Sequence, residues 1–316
     1  MNSKPSIDNY TVERLTAGNM ADVELLHAVV YDKDVHPGFF TKKYDTAFAG
    51  VEFTGFIAYT TRRQPIAFYA VIPCFMQSGD DLILAAQSAD TMTHPAYRNK
   101  GLFVELALST FQLCRELNIR LLFGFPNQNS LPGFVNKLGW QATHRLDCFI
   151  IHTQNLSWGR VFGKIHVLRS LYERYQAGIL KKYIVQQKGI KNSVISEGYG
   201  GVYRDENYLE YKTYNDTCVI KIGASALWIK TNGILLIGDI DLQPDDFDDI
   251  MYGLKKLAGK LGLKQIHFHT SPGTTLHGLF AMRFKCIQSF PAIFKVLGED
   301  LPLDKFKFTS ADIDTF

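Results

Sequence analysis

The sequence has no long apolar run. No stretch approaches the roughly 20 residues that a membrane-crossing helix needs, and Met1-Asn2-Ser3-Lys4-Pro5-Ser6-Ile7-Asp8 lacks the apolar region of a signal peptide. A cytoplasmic protein is the resulting expectation. Cysteine is sparse: Cys74, Cys114, Cys148, Cys218 and Cys286 are odd in number, scattered, and never in a C-x-x-C pair. That excludes a disulfide framework, and all five are expected to be reduced thiols in the core. Charge of one sign is not in excess, since 34 Lys and Arg against 31 Asp and Glu leave a net charge of +3. So mild a balance gives no ground for nucleic-acid binding, and no recognition motif for it is present. Gly-x-x-x-x-Gly-Lys-Ser/Thr and Gly-x-Gly-x-x-Gly after a strand are also missing, which sets aside the common nucleotide-binding loops.

Aromatic side chains are plentiful, with 23 Phe and 15 Tyr in 316 residues. A packed globule follows, and the length suggests two domains. Residues 10–15 alternate like a strand, whereas 21–31 place Val23, Leu26, Val29 and Val30 at helical spacing. Residues 54–61 and 66–75 read as strands joined by the turn Arg62-Arg63-Gln64-Pro65, and Gly79-Asp80-Asp81 marks entry to the next.

The run 93–140 is the most informative. His94-Pro95-Ala96-Tyr97-Arg98-Asn99-Lys100-Gly101-Leu102-Phe103 joins a β-leaning run, 82–93, to a helix that begins near Gly101. The first N–H groups of a helix have no intrahelical acceptor and lie at the positive end of its dipole, so an anion can satisfy them. Gly101 lets a ligand approach the backbone, and Arg98 and Lys100 add full charges. A short buried-type strand, 121–125, follows the helix. Polar residues Asn127, Asn129 and Ser130 then lead into a short helix closed by Leu138-Gly139-Trp140.

That order, from Thr93-His94-Pro95 through Arg98-x-x-Gly101 to Asn127-x-Asn129-Ser130 and Leu138-Gly139-Trp140, resembles the acyl-CoA-binding half of the GNAT acyltransferase superfamily. The resemblance covers about residues 8–152 and implies acetyl-CoA as co-substrate. In that family the turn matching Arg98, Asn99, Lys100, Gly101, Leu102 and Phe103 holds the CoA pyrophosphate. The strand matching 87–93, with Met92 and Thr93 at its end, pairs with the pantetheine arm, and the strand matching 121–125 splays away to open the cleft. The final glycine of the family's turn is Phe103 here. The family's glutamate base corresponds to Gln87, which cannot titrate, and its tyrosine acid corresponds to Val135. Asp90 is the nearest carboxylate to serve as base, with His94 as a second candidate and Tyr97 as a stand-in acid. Backbone N–H groups at 89–93 are the natural oxyanion donors. Asn127, Asn129 and Ser130 either bind pantetheine or acceptor, or cap a helix.

From 157 to 188, Arg160, Lys164, Arg169, Arg174, Lys181, Lys182 and Lys188 meet one acid, Glu173, with apolar residues every three or four positions. This predicts a basic amphipathic helix, broken near Gly178, that packs on a domain or touches a membrane surface or an acidic partner. A weak repeat follows: shifted by 144, Leu117-Asn118-Ile119-Arg120 falls on Leu261-Gly262-Leu263-Lys264. In the repeat, Leu242-Gln243-Pro244-Asp245 takes the place of the basic turn. Asp245 and Asp246 would cap a helix and repel phosphate. His267, His269 and His277 lack an acidic or thiol companion, so no metal is expected.

The expectation is an α/β protein, an α+β mixed sheet in tandem GNAT-like domains: 1–156 catalytic, 157–190 a basic helical linker, 191–316 a degenerate GNAT-like domain. The implied activity is transfer of an acyl group to a small-molecule amine, with an amino sugar suggested by the family's surface-polysaccharide members. A non-catalytic CoA-binding or scaffold protein is the alternative, because the glutamate and tyrosine are missing.

Overall fold

A computed structural model describes residues 9–153 and 166–316. They group into two compact units. The first comprises residues 9–76, 81–143 and 292–303, and the second residues 77–80, 144–153, 166–291 and 304–316.

The first unit runs β1 (Tyr10–Arg14), α1 (Met20–Tyr31), α2 (Phe39–Tyr44), β2 (Gly55–Thr60), β3 (Pro65–Ser78), β4 (Asp81–Thr93), α3 (Leu102–Glu116) and β5 (Leu121–Gly124). β1 pairs antiparallel with β2, and β2 with β3. β4 lies beside β3 and pairs parallel with β5. Nine consecutive residues of β3, Ile66 to Cys74, are buried, as a strand covered on both faces requires. Helix α3 is the crossover between the parallel strands. It buries Leu102, Leu106, Ala107, Phe111 and Cys114, a stripe at helical spacing, against Leu122, Phe134 and Trp140. A π-helical turn, Gly133–Lys137, follows β5. Gly139, at φ 65°, ends it in a conformation glycine adopts without steric cost. The Trp140 N–H then donates to Phe134 O at 3.1 Å, and the two rings meet edge to face at 5.1 Å.

The second unit repeats the strand, helix, strand order. Its elements are β6 (Gln141–His152, from His144 onward), α4 (His166–Leu180), α5 (Ser193–Ser196), β7 (Gly201–Val202), α6 (Glu206–Tyr211), β8 (Thr217–Ile222), β9 (Ser225–Thr231), β10 (Leu235–Asp241), α7 (Phe247–Lys260), β11 (Gln265–Thr270), α8 (Thr275–Ala281) and the start of β12 (Cys286–Val296). β8, β9 and β10 are successive antiparallel neighbours, and β10 pairs parallel with β11 across α7. Ile250, Leu254, Leu257 and Leu261 pack on Phe268, Phe280 and Ile237.

The last strands are exchanged between the repeats. β6 follows the first unit's π-helical turn but pairs antiparallel with β11, Asp147 opposite Thr270. The end of β12 follows α8 but pairs antiparallel with β5, Ile293 opposite Gly124.

Several expectations need adjustment. The basic helix is continuous from His166 to Leu180, so there is no break at Gly178, and residues 157–165 of the expected linker lie outside the described residues. Its inner face is packed: Tyr172 Oη and Gln176 Nε2 both donate to Leu261 O, while Leu180 is buried. Burial pushes the Cys114 thiol up to about 12 and those of Cys148 and the half-buried Cys218, which packs against the core from outside, to about 11. Cys286 is instead exposed, because β12 begins with three uncovered residues.

His144 Nε2 is bonded to Ser271 Oγ at 2.8 Å. Burial lowers His144 and His269 from an ordinary 6.5 to about 4. A histidine held neutral in the fold takes its proton more readily once unfolded, so its contribution to stability is complete above pH 6.5 and is lost as pH falls toward 4. Thermal unfolding followed by circular dichroism should therefore show a midpoint that drops between pH 6.5 and 4. His269→Phe, which keeps a ring beside Phe290, should make that drop shallower.

Candidate functional site

The ladder between β4 and β5 has three rungs: Ala85 with Leu121, Ala86 with Leu122, Gln87 with Phe123. Past the last rung β4 continues for six residues to Thr93, while β5 ends at Gly124. Among the described residues no strand or bridge is inserted between them beyond that rung. The backbone of residues 88–93 thus borders a gap in the sheet.

At the far end of β4 the chain makes a 3₁₀ turn, Pro95–Tyr97, and enters α3. Asn99 and Gly101 are left-handed, at φ 62° and 88°, with Lys100 between them. Such alternation makes successive N–H groups converge into an anion-binding nest. Among the described residues, none accepts a bond from the backbone N–H of Asn99, Lys100, Gly101, Leu102 or Phe103. Arg98 is exposed and donates from Nε to Thr93 O at 3.3 Å, while Lys100 Nζ stands 5.0 Å from the Tyr97 ring centroid. Unsatisfied donors, a helix dipole and two cations coincide here.

Asp90 lies midway between the last rung and the turn. It is left-handed at φ 47°, a bulge-like kink that costs a non-glycine residue about 1 kcal/mol. Its carboxylate is held from α2: Oδ2 lies 2.5 Å from Lys43 Nζ and accepts from Tyr44 Oη at 2.9 Å. The Lys43 side chain is 3% exposed and that of Asp90 20%. Among the described residues Oδ1 has no hydrogen-bond partner. One oxygen is anchored and the other open, the arrangement a fixed general base needs. Sequence reasoning missed Lys43 and Tyr44, because they lie more than forty positions away in no motif.

The other expected residues take distinct places. Gln87 is buried on the last rung and Met92 is buried on β4, while Thr93 is half-buried. Beside Gln87, Ser88 Oγ meets the buried Tyr69 hydroxyl at 3.0 Å, and burial raises the Tyr69 hydroxyl well above its usual range. His94 Nδ1 accepts from Ala96 N at 3.2 Å, so its ring is folded onto the turn rather than directed outward, and it meets Tyr97 edge to face. Phe103 points its ring away from the nest, against Phe134 at 5.4 Å and Gly133, where a Cβ would approach it to 3.0 Å. Asn127 caps the turn after β5, its Oδ1 accepting from Asn129 N and Ser130 N at 2.9 and 3.0 Å. Asn129 is exposed and Ser130 half-buried on that turn.

The second unit's counterpart is built otherwise. Asp245 is left-handed, and neither it nor Asp246 caps α7 through its side chain. Asp246 Oδ2 instead accepts from Ala224 N and Ser225 Oγ in the β8–β9 hairpin, which replaces the expected capping role. His277 is bonded to Asp147 at 2.9 Å and His267 to Gln265 at 3.1 Å, and among the described residues no group of three suits a metal ion.

Residues 13–143 match the family model for the acetyltransferase (GNAT) domain, which spans the nest, the interrupted ladder and Asp90. This segment is a GNAT domain. The fold likeness extends further. A GCN5-related N-acetyltransferase from Kribbella flavida superposes with a TM-score of 0.58 at 12% identity, covering 93% of this chain and 72% of that one. One from Anabaena variabilis gives 0.55 at 12%, covering 92% and 73%. A Pyrococcus horikoshii protein gives 0.55 at 11%, covering 99% and 97%. At these identities the likeness is one of fold. No curated protein matches the chain by sequence.

Within the GNAT domain the Lys43–Asp90 pair is a separable element. Lys43→Met should leave Asp90 kinked and uncompensated, lowering unfolding free energy in urea by about 2–3 kcal/mol, whereas Lys43→Arg should recover part of it.

Proposed function

We propose that this chain is an acyl-CoA-dependent N-acyltransferase, with acetyl-CoA as donor and a primary amine as acceptor. The observation that carries it is the row of five backbone N–H groups at residues 99–103 that have no acceptor among the described residues, with Arg98 and Lys100 beside them at the start of α3. GNAT domains generally use acetyl-CoA, and a pyrophosphate would satisfy those donors. The thioester arm would follow β4 toward the last rung, past Thr93 and Met92.

Direct attack in a ternary complex balances without a covalent enzyme intermediate. The neutral amine nitrogen bonds to the thioester carbonyl carbon, whose oxygen gains charge beside the N–H groups of 89–93. Asp90 Oδ1 takes the amine proton, directly or through one water. The C–S bond then breaks, and the thiolate leaves as CoA, taking a proton from Tyr97 or solvent. Gln87 and His94 play supporting parts: one fixes the last rung, the other the entry to the nest. An amino sugar is the first acceptor class to screen, on the form of residues 125–140.

Calorimetric titration with acetyl-CoA tests the donor site. Arg98→Ala with Lys100→Ala should weaken binding by about 2–4 kcal/mol. Asp90→Asn should leave acetyl-CoA affinity unchanged and lower turnover by about 10²- to 10⁴-fold. Binding without turnover of any amine, with no effect of Asp90→Asn, would instead favour a CoA-binding scaffold, a reading motivated by Gln87 and Val135. No binding at all would end both.

A further inference from the structure

We infer that the second unit holds a peptide-binding cleft between β10 and β11, and that its occupant is the chain's own segment 306–316. The two units share a geometry. β10 and β11 pair over three parallel rungs, Leu235 with Ile266 to Ile237 with Phe268, and then part where β10 carries a bulge, between Ile237 and Asp239, in its ladder with β9. In the first unit the same interruption leaves a gap among the described residues; in the second it is filled by a segment that is extended over 306–309 and turns into a 3₁₀ helix at Ser310–Asp312.

The filling is done main chain to main chain at one wall. Thr309 is bridged antiparallel to Thr270, and Ser271 N donates to Phe308 O at 2.9 Å. His269 N, left without β10 opposite it, donates to Ser310 Oγ at 2.9 Å. An extended peptide added to an exposed strand is held in the same way.

Beyond that point recognition passes to side chains. Lys212 Nζ donates to Ile313 O at 2.9 Å and Lys230 Nζ to Thr315 O at 2.7 Å, while Asn215 Nδ2 reaches Phe316 O at 2.7 Å. Backbone carbonyls read by cationic and amide donors are the chemistry of a peptide receptor, since they require no particular side chain on the guest. Two anchors then set the register. Arg204, fully buried, donates to Asp312 Oδ1 and to Asp239 Oδ2, each at 2.7 Å. The Phe316 ring meets Trp228 edge to face at 5.3 Å and lies over Gly238, where a Cβ would come within 2.1 Å of it. Gly238 thus leaves the floor of the cleft open for an aromatic ring.

The acyl-CoA reading of the first unit supplies the comparison, but the occupancy stands without it. A cleft filled in this way admits no thioester arm, so the chain should take up no more than one acetyl-CoA.

The test is to insert a site for a sequence-specific protease after the exposed Asp300, cut the folded chain, and apply it to gel filtration. The fragment should co-elute with the remainder. A fluorescent peptide of residues 305–316 added to the nicked protein should exchange into it, and the same peptide carrying Phe316→Ala and Asp312→Asn should bind about tenfold or more weakly. Release of the fragment, whether the remainder keeps its circular dichroism or aggregates, would overturn the inference, as would failure of the peptide to exchange or two acetyl-CoA per chain. Absence of any acetyl-CoA binding with the fragment retained would count against the acyltransferase reading alone.

Discussion

Beyond Gln87 and Phe123 the parallel ladder of β4 and β5 stops, and the backbone of β4 continues without a neighbour on that side among the described residues. Parallel pairing is satisfied only where two strands stay about 5 Å apart, so the early end of β5 at Gly124 leaves the main chain of β4 open on that side. Everything chemical in the first unit is referred to that end: Asp90 three residues past the last rung, the nest of N–H groups where β4 meets α3, and Ser88 with Tyr69 at the base.

Holding the gap open has a local cost. Asp90 is kinked into a left-handed conformation, and its charge is met by a lysine almost wholly withdrawn from water. A buried ammonium is tolerated only beside its counter-ion, so α2 and β4 are tied to one another by charge. That tie also fixes which carboxylate oxygen is free. A carboxylate aligned by packing alone would be softer than one whose Oδ2 is pinned at 2.5 and 2.9 Å.

The second unit takes the same strand, helix, strand frame and answers its open ladder by another route, with main chain and side chains of the same polypeptide. The exchange of β6 and the end of β12 between the repeats completes each unit with the strand that follows the other's helical turn. Contiguous boundaries such as 1–156 and 191–316 have no way to express that exchange, because strand pairing is decided by edges far apart in sequence.

Local rules determined a good deal from the sequence alone. The helix start near Gly101, the strands on either side of α3, the glycine stop before Trp140 and the similar order in the second half are set by periodicity and turn chemistry acting over a few residues. The basic turn was legible for the same reason, since a helix start and its charges are adjacent in the chain. What only the tertiary structure decided involves partners remote in sequence: Lys43 and Tyr44 on Asp90, the Phe103 ring turned into the aromatic core rather than onto the nest, Asp246 bonded to a hairpin instead of capping α7, and residues 306–316 lying beside β11. Burial converts such remote encounters into strong interactions by removing water, and sequence spacing carries no record of which surfaces will be brought together.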